Sequence, residues 1–307
     1  MINQSLKQLQ RQMETVLQGK SATIKMAVVT LLARGHLLIE DIPGVGKTTL
    51  AFALAKSIDC SFRRIQFTSD LLPSDILGIT MFNQETRSFE FREGPIFSNI
   101  VLADEINRTN PKTQSALLEA MNEKKVSIEK NTLLLPDPFM VIATQNPIEY
   151  QGTFPLPESQ LDRFMLHLTI GYPTPEYEKQ AVLMQDSFSL LEDLQPVLSR
   201  QEIVGMQREV DSVFCEDSVV DYLMKIVAAT RDHPAIRLGA STRSAQFFLK
   251  AVKAHAFCEG RDFILPDDVK QLAPLVLAHR IILKTRKYLA DAEMLVREML
   301  EKIPVPM

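Results

Sequence analysis

The sequence predicts an α/β protein, in which a mainly parallel sheet with helices on both faces is followed by an all-helical lid domain. In the first 173 residues, short continuous apolar runs alternate with helical patterns, as in parallel sheets that are covered on both faces. Helical patterns continue beyond that point, but convincing strand patterns do not. The composition changes at Tyr172 and Pro173. We therefore expect an α/β core over residues 1–173 and a helical lid over 174–307.

Composition limits the classes of protein to consider. The chain has 307 residues, of which 46% are apolar and 23% charged, which is typical of a soluble protein. The net charge of −4 provides no overall basic field for nucleic acid. Three cysteines far apart in the sequence predict free thiols in a reducing compartment. The chain shows no signal-peptide pattern and no apolar run near 18 residues, so we expect a cytoplasmic protein without an integral membrane segment.

Apolar spacing and turn signals place the elements along the chain. Helical spacing predicts two helices at 5–18 and 21–33 before the first strand. Further strands are predicted at 62–67, 100–105, 139–144 and 165–170, hairpin insertions near 79–91 and 126–135, and a helix that begins at Asn110 and Pro111. The lid is predicted to contain helices at 176–187, 200–211, 217–231, 242–259 and 267–279.

A glycine-rich turn between the first strand and a helix is the principal motif. Gly44 and Gly46 let the backbone turn tightly and point N–H groups at a phosphate, and the following helix adds its positive dipole end. Lys47 would reach the β- and γ-phosphates, and the Thr48 hydroxyl would ligate Mg²⁺. Asp41 occupies the position of the motif's first glycine, and we interpret it as a tolerated variant. The predicted nucleotide-binding loop comprises Pro43, Gly44, Val45, Gly46, Lys47, Thr48 and Thr49.

Polar residues at the ends of two later strands complete the predicted chemistry. Asp104 would hold the Mg²⁺ shell, and Glu105 beside it would orient and deprotonate the attacking water. An amide just after the strand at 139–144, where Gln145 and Asn146 lie, could fix that water between Glu105 and the γ-phosphate. The carboxyl ends of parallel strands form the usual ligand edge of such a sheet.

Two arginines are candidates for binding the γ-phosphate. Arg163 precedes a strand and so lies at the opposite edge of the sheet, where it would serve as an arginine finger only for a neighbouring subunit. Head-to-tail contacts of this kind close into rings. Arg243 is expected in the first turn of a lid helix capped by Ser241 or Thr242, facing the cleft. For either arginine, a structural role is the alternative.

Taken together, these motifs resemble the MoxR-type AAA+ ATPases over about residues 14–280. The stretches that carry the resemblance are 42–48, 102–109, 114–121, 142–147, 151–158 and 161–164. The resemblance implies Lys47 and Thr48 as Walker A, Asp104 and Glu105 as Walker B, Asn146 as sensor 1, Arg163 as arginine finger, Arg243 as sensor 2, and backbone near Gln18 and Gly19 in the adenine pocket. It also implies an AAA+ P-loop core whose two hairpin insertions face a ring pore. Thr242 and Asp41 depart from residues common in the family, without removing a catalytic group.

The resemblance further implies an ATP- and Mg²⁺-dependent homo-oligomeric ring, expected to be a hexamer. Such a ring would act like a chaperone, remodelling, activating or helping to assemble a protein client, which could be a von Willebrand A-domain protein. One alternative is a nucleic-acid motor of the related helix-2-insert class, which the acidic charge balance disfavours, so no nucleic-acid partner is expected. Another is a nucleotide-gated scaffold, which Glu105 disfavours. Whether Arg243 serves its own nucleotide or a neighbour's stays open.

Overall fold

The structure is a computed structural model, and it describes residues 2–128, 131–146, 153–183, 187–285 and 289–306. Helices and strands alternate in the first part of the chain. In order they are α1 (Ile2–Val16), α2 (Ser21–Leu32), β1 (Leu37–Glu40), α3 (Lys47–Ser57), β2 (Phe62–Gln66), α4 (Pro73–Leu77), β3 (Gly78–Asn83), β4 (Ser88–Glu93), β5 (Ile100–Asp104), α5 (Pro111–Glu123), β6 (Lys125–Ile128), β7 (Asn131–Leu134), β8 (Met140–Gln145), α6 (Glu158–Leu161) and β9 (Leu166–Leu168).

Five of these strands form one parallel sheet in the order β2-β5-β8-β1-β9. Alternate residues of each strand point to opposite faces. Leu37 and Ile39 of β1 belong to an apolar cluster shared with α1, α2, α3 and lid helices. Leu38 belongs to a second cluster, which is built around α5. Both faces of the sheet are therefore buried under helices, which confirms the predicted α/β class.

Two antiparallel hairpins are inserted into this core. β3 pairs with β4 between α4 and β5, and β6 pairs with β7 between α5 and β8. In the first hairpin, the paired Phe82 and Phe89 are 53% and 74% exposed, and their rings meet edge-on with centroids 5.3 Å apart. The turn of the second hairpin, residues 129–130, lies outside the described residues. The first hairpin thus presents aromatic surface to solvent.

The second part of the chain is mostly helical. Its elements are α7 (Pro175–Leu183), α8 (Ser187–Glu192), α9 (Arg200–Asp211), α10 (Asp217–Asp232), β10 (Ile236–Leu238), α11 (Thr242–Cys258), α12 (Pro266–Leu277), β11 (Ile282–Leu283) and α13 (Leu289–Lys302). A short antiparallel ladder between β10 and β11 adds strand pairing to the all-helical lid that the sequence predicts. The ladder joins the segment before α11 to the segment after α12, so two distant parts of the lid are held together.

The lid packs directly on the first two helices of the core. Gln207 Nε2 of α9 donates a 2.8 Å hydrogen bond to the carbonyl oxygen of Leu31, and both residues are buried. Arg34 and Asp211 form a 2.6 Å ion pair across the same junction. In the part of the chain that the structure describes, no helix is both long and apolar enough to cross a membrane.

Candidate active site

The glycine-rich turn lies at the carboxyl end of β1 and leads directly into α3. Gly44 and Gly46 have φ angles of 85° and 94°, in the left-handed region that glycine adopts without strain. Gly46 is the N-cap of α3, so the first free N–H groups of the helix follow it. A Cβ at Gly46 would lie 2.7 Å from Leu17 Cδ1, whereas a Cβ at Gly44 would meet no atom within 4 Å. The loop therefore packs against Leu17 at Gly46 and has free space at Gly44. Free space next to backbone N–H groups is what a bound phosphate needs.

Lys47, the first residue of α3, lies in a partly buried and acidic environment. Its Nζ donates a 2.6 Å hydrogen bond to the carbonyl oxygen of Asp41. Burial lowers the pKa of Lys47, and the negative charges of Asp104, Asp41 and Glu105 partly oppose that shift. Because the charge of Asp104 acts on Lys47, the ammonium group lies close to the side chain that is predicted to bind Mg²⁺.

Asp41 makes contacts that the sequence interpretation missed. The residue is 9% exposed, and its Oδ2 accepts hydrogen bonds of 2.7 and 2.6 Å from the backbone N–H groups of Ile170 and Gly171. Its Oδ1 accepts a third, at 2.8 Å, from the N–H group of Ile42. Asp41 is therefore more than a tolerated variant, because its carboxylate attaches the loop to the chain that leaves β9.

Asp104 and Glu105 lie at the carboxyl end of β5, where one hydroxyl group organises both. Thr144 Oγ1 of β8 donates to Asp104 Oδ1 at 2.6 Å and accepts the N–H of Glu105 at 2.8 Å. Glu105 itself has a φ of 58°, a left-handed conformation that is uncommon for a residue with a side chain. The contact with Thr144 supports this strained backbone at the end of β5.

Two side chains from the part of the chain that the structure describes contact the Glu105 carboxylate. Gln66 of β2 donates to Glu105 Oε2 through Nε2 at 2.8 Å, and Arg108 forms an ion pair with the same oxygen at 3.2 Å. Gln66 also accepts a hydrogen bond from Arg64 through its Oε1 atom. These two contacts, both to Oε2, orient the Glu105 carboxylate.

The residues present fit a magnesium ion. Asp104 and Thr48 supply carboxylate and hydroxyl oxygens, which are the hard ligands that Mg²⁺ prefers. Asp104 is 8% exposed, and its Oδ2 is already paired with a cation, the guanidinium of Arg64, at 2.6 Å. A positive charge is therefore stabilised at this oxygen. Thr48, which would supply the hydroxyl ligand, follows Lys47 in the first turn of α3.

A cavity of about 250 Å³ lies beside the loop and extends towards the start of the lid. Its lining includes Leu17, Gln18, Gly44, Val45, Gly46, Thr49, Pro173 and Tyr177. Gly19 has a φ of 71°, and a Cβ there would lie 2.4 Å from the Tyr177 ring. The structure thus places Gln18 on the wall of a cavity beside the loop, and its neighbour Gly19 lies against the Tyr177 ring. Pro173 and Tyr177 are lining residues that sequence reasoning missed.

Asn146 directly follows β8 and is 6% exposed. Its predecessors in β8 run parallel to β1 and β5, so it lies at the same sheet edge as Lys47 and Asp104. Residues 147–152, which include the proline that follows it, lie outside the described residues. The predicted loop, acids and amide therefore share one edge of the sheet.

Comparison with known proteins agrees with this geometry. Residues 36–166 match the "ATPase family associated with various cellular activities (AAA)", and residues 228–303 match an AAA lid domain. The chain is 37% identical to the chaperone MoxR1 of Mycobacterium tuberculosis, covering 96% of this chain and 81% of that one. It is 49% identical to the uncharacterised protein YeaC of Bacillus subtilis, covering 95% and 92%. The chain belongs to the MoxR family of AAA+ ATPases.

A solved structure agrees over the whole MoxR-family chain. It is a crystal structure of a protein from Cytophaga hutchinsonii that is described as a candidate ATPase. The TM-score is 0.91 at 38% sequence identity, and the match covers 100% of this chain and 96% of the other. The arrangement of sheet and lid is therefore shared with a relative of known structure.

The two predicted phosphate-binding arginines do not join the other residues of this MoxR-family site. Met165 N donates a 2.7 Å hydrogen bond to the carbonyl oxygen of His36, just before β1 begins. Arg163, two residues earlier, therefore lies at the amino end of the parallel strands, whereas Lys47 follows the carboxyl end of β1. The Nε atom of Arg163 is buried and has no hydrogen-bond partner among the described residues.

Arg243 lies at the same amino edge, near Arg163. Ser241 is the N-cap of α11, and its Oγ donates to Asp162 Oδ2 at 3.2 Å. Ser244 Oγ of the same turn donates to Asp162 Oδ1 at 3.0 Å. Arg243, between them in sequence, is exposed. Arg243 thus lies in the first turn of a helix capped by Ser241, as expected, and Asp162 holds that turn at the edge opposite the P-loop of the same chain.

A buried arginine completes this contact between core and lid. Arg280 is 6% exposed, and its Nε donates to Asp162 Oδ1 at 3.0 Å. Burial lowers the pKa of Arg280 to about 10, Asp162 opposes that shift, and the charge of Arg243 adds slightly to it. Asp162 thus connects Arg163, its neighbour in sequence, with the turn of α11 that carries Arg243.

Proposed function

We propose that this MoxR-family protein hydrolyses ATP to ADP and phosphate, and that it does so in a homo-oligomeric ring that remodels a protein client. One observation carries the proposal: Lys47, Asp104, Glu105 and Asn146 share one sheet edge beside a cavity of about 250 Å³. That edge is where open α/β sheets bind ligands. Phosphoryl transfer needs positioned charge more than covalent chemistry, and these residues supply it.

Nucleotide binding would use the loop and the cavity together. Gly44, Gly46 and the N-terminus of α3 would hold the phosphates through backbone N–H groups. Lys47 would leave the Asp41 carbonyl oxygen to bind the β- and γ-phosphates. The adenine would enter the cavity lined by Gln18, between the end of α1 and Tyr177. Magnesium held by Thr48 and Asp104 would neutralise the charge that develops on the phosphate oxygens.

Hydrolysis would depend on Glu105 as the base that activates water. Its carboxylate is held by Gln66 and Arg108, so its direction is set before substrate binds. Asn146, at the same edge, would fix the water between Glu105 and the γ-phosphate. General-base catalysis of this kind contributes about 10²–10⁴ in rate.

The remaining positive charge would come from a neighbouring subunit. Arg163 and Arg243 lie at the amino edge of the sheet, far from the P-loop of their own chain. In a head-to-tail ring this edge would meet the next subunit's carboxyl edge, so both arginines would act on that subunit's nucleotide. An arginine finger is worth about 10³–10⁵ in rate in other systems.

The client side of the proposal rests on the family. A relative at 37% identity is named a chaperone, and by resemblance the client could be a von Willebrand A-domain protein. Support from this chain is the exposed pair Phe82 and Phe89 on the first hairpin, since exposed aromatic groups are typical of protein-contact surfaces. A hexameric ring in the cytoplasm is the form we propose.

Magnesium-dependent release of phosphate by the purified protein tests the enzymatic proposal. Lys47→Ala should lose nucleotide binding, because it removes the charge that holds the β- and γ-phosphates. Glu105→Gln keeps the shape of the side chain and should bind ATP normally while turnover falls about 10²–10³-fold. Turnover that Glu105→Gln leaves unchanged would refute the catalytic assignment, and an inactive wild-type protein that still binds ATP would favour a nucleotide-gated scaffold.

A further inference from the structure

The segment that connects β9 to α7 is held by charged side chains from two sides. We call residues 169–174 the hinge segment. The Asp41 carboxylate accepts the N–H groups of Ile170 and Gly171 at 2.7 and 2.6 Å. The Lys20 ammonium donates to the carbonyl oxygens of Ile170 and Tyr172, both at 2.7 Å. Asp41, beside the P-loop, thus accepts hydrogen bonds from two N–H groups of the hinge segment. Lys20, at the start of α2, donates hydrogen bonds to two of its carbonyl oxygens.

Asp41 is also in direct contact with the lysine of the P-loop. Its carbonyl oxygen accepts the Lys47 Nζ hydrogen bond at 2.6 Å, while its carboxylate binds the hinge segment. Asp41 therefore contacts Lys47 through its carbonyl oxygen and the hinge segment through its carboxylate. A phosphate that draws Lys47 towards itself removes the contact on the carbonyl side of Asp41.

The hinge segment leads straight into the wall of the nucleotide cavity. Pro173 and Tyr177 line that cavity, and the Tyr177 ring lies where a Cβ at Gly19 would be only 2.4 Å away. α7 starts at Pro175, one residue after the hinge segment. A small displacement of Ile170 and Gly171 would therefore move Tyr177 relative to Gly19 and change the width of the cavity.

We propose that Asp41 is a positioning residue that couples phosphate occupancy at Lys47 to the placement of the hinge segment and α7. This proposal rests on the nucleotide binding proposed above. Glycine at this position would leave the loop able to turn but would supply no acceptor for the two hinge N–H groups. Hydrogen bonds to a charged group are stronger than those between neutral groups, so the carboxylate makes this link strong.

Hydrogen–deuterium exchange at the Ile170 and Gly171 amides tests the coupling. Wild-type protein is measured alone, with ADP, and with a non-hydrolysable ATP analogue. We expect nucleotide to change the exchange rate of both amides in the wild type. In Asp41→Gly both amides should exchange at least about tenfold faster without nucleotide, and nucleotide at saturating concentration should no longer change them.

A matched control is available just after α3. Asp59 is exposed and has a φ of 48°, so glycine fits its backbone well, and Asp59→Gly removes a carboxylate without touching the hinge segment. It should retain the wild-type exchange pattern. Lys20→Met removes the support on the other side and should speed hinge exchange while leaving the nucleotide response in place, because the Asp41 link remains.

If Asp41→Gly does not fold, Asp41→Asn replaces it in the same exchange experiment. It keeps one acceptor oxygen and should show protection between that of the wild type and that of unprotected amides. Wild-type protection in Asp41→Gly, or a full nucleotide response at the hinge in that variant, would overturn the proposal. A wild-type protein that binds no nucleotide would overturn the proposed function as well, whereas one that hydrolyses ATP without any hinge response would overturn only the coupling.

Discussion

Thr144 connects the two acids of the active site through one buried hydroxyl group. It is fully buried, donates to Asp104 and accepts the N–H of Glu105. Sequence patterns could not predict this role, because the contact joins two strands that are 40 residues apart in the chain. The same holds for Asp41, whose partners lie 129 and 130 residues away. By contrast, Lys47 and Thr48 were predictable because the motif, the strand before it and the helix after it are contiguous.

Thr144→Val keeps the shape of the side chain but leaves Asp104 and the Glu105 N–H without this partner. We expect kcat for ATP to fall about 10–100-fold while nucleotide affinity changes by less than about threefold, since an unsatisfied buried group costs about 1–3 kcal/mol. Phosphate release measured against Thr30→Val provides the comparison. Thr30 is another fully buried threonine, bonded within α2 to Met26, and its replacement should leave kcat unchanged. Equal rates in the two variants would show that Thr144 does not organise the site.

His36 makes the stability of the core depend on pH. It is buried, donates from Nε2 to the Met121 carbonyl oxygen, and accepts the N–H of Val141 at Nδ1. Burial lowers its pKa from 6.5 to about 4; the Met121 hydrogen bond opposes this shift and Lys124 adds to it. Below pH 6.5 the unfolded chain takes up a proton that the folded protein excludes, so stability falls as the pH decreases towards 4.

The His36 contribution should amount to about 2 kcal/mol of unfolding free energy lost between pH 7 and pH 4.5. His36→Gln has a donor and an acceptor but does not titrate, so its stability should decline less steeply over the same interval. Urea denaturation of both proteins at several pH values measures the difference. Parallel pH profiles would mean that another group causes the loss.

At the scale of elements, two aspartate–arginine pairs join the core to the lid in different surroundings. Asp162 binds Arg280, whose side chain is 1% exposed, and Asp211 binds Arg34, whose side chain is 29% exposed. Arg280 also donates to the carbonyl oxygen of Met165, and its guanidinium lies 5.3 Å from the centre of the Phe247 ring. The buried pair therefore fixes the start of α11 and the end of α12 against β9.

These two pairs form a matched comparison of stability. Asp162→Ala leaves a buried guanidinium without its charge partner and should cost about 3 kcal/mol of unfolding free energy. Asp211→Ala breaks an exposed pair and should cost less than about 1 kcal/mol. Urea denaturation of the two variants measures both losses of unfolding free energy. Losses of similar size would contradict the role assigned to the Asp162 contact.

Apolar periodicity predicted most of the helices and strands. It did not yield the last helix or the short ladder in the lid. α13 was not predicted, although its buried residues Ala292, Val296 and Met299 recur at helical spacing. The β10–β11 ladder involves strands of three and two residues, which are too short to leave a period-2 signal. Its pairing depends on α11 and α12, which bring the two segments together.

At the scale of the whole molecule, the two edges of the sheet carry complementary parts of one proposed site. The carboxyl edge has Lys47, Asp104 and Glu105, and the amino edge has Arg163 and Arg243. Sequence could predict that Arg163 lies opposite the P-loop, because it precedes a parallel strand. It could not place Arg243, whose position depends on how α11 is held by Asp162. This placement is the reason that we propose a role in trans for both arginines.

The most direct test of this account is ATP hydrolysis by mixed rings of two inactive variants. Arg163→Ala should bind ATP with normal affinity but lose hydrolysis, and Lys47→Ala should not bind ATP. In a mixed ring, an Arg163→Ala subunit keeps an intact P-loop and receives Arg163 from its Lys47→Ala neighbour. We predict that mixing restores part of the wild-type phosphate release, in proportion to such neighbouring pairs. A mixture that stays inactive although co-assembly is demonstrated, or full wild-type activity in a verified monomer, would contradict a site shared between subunits.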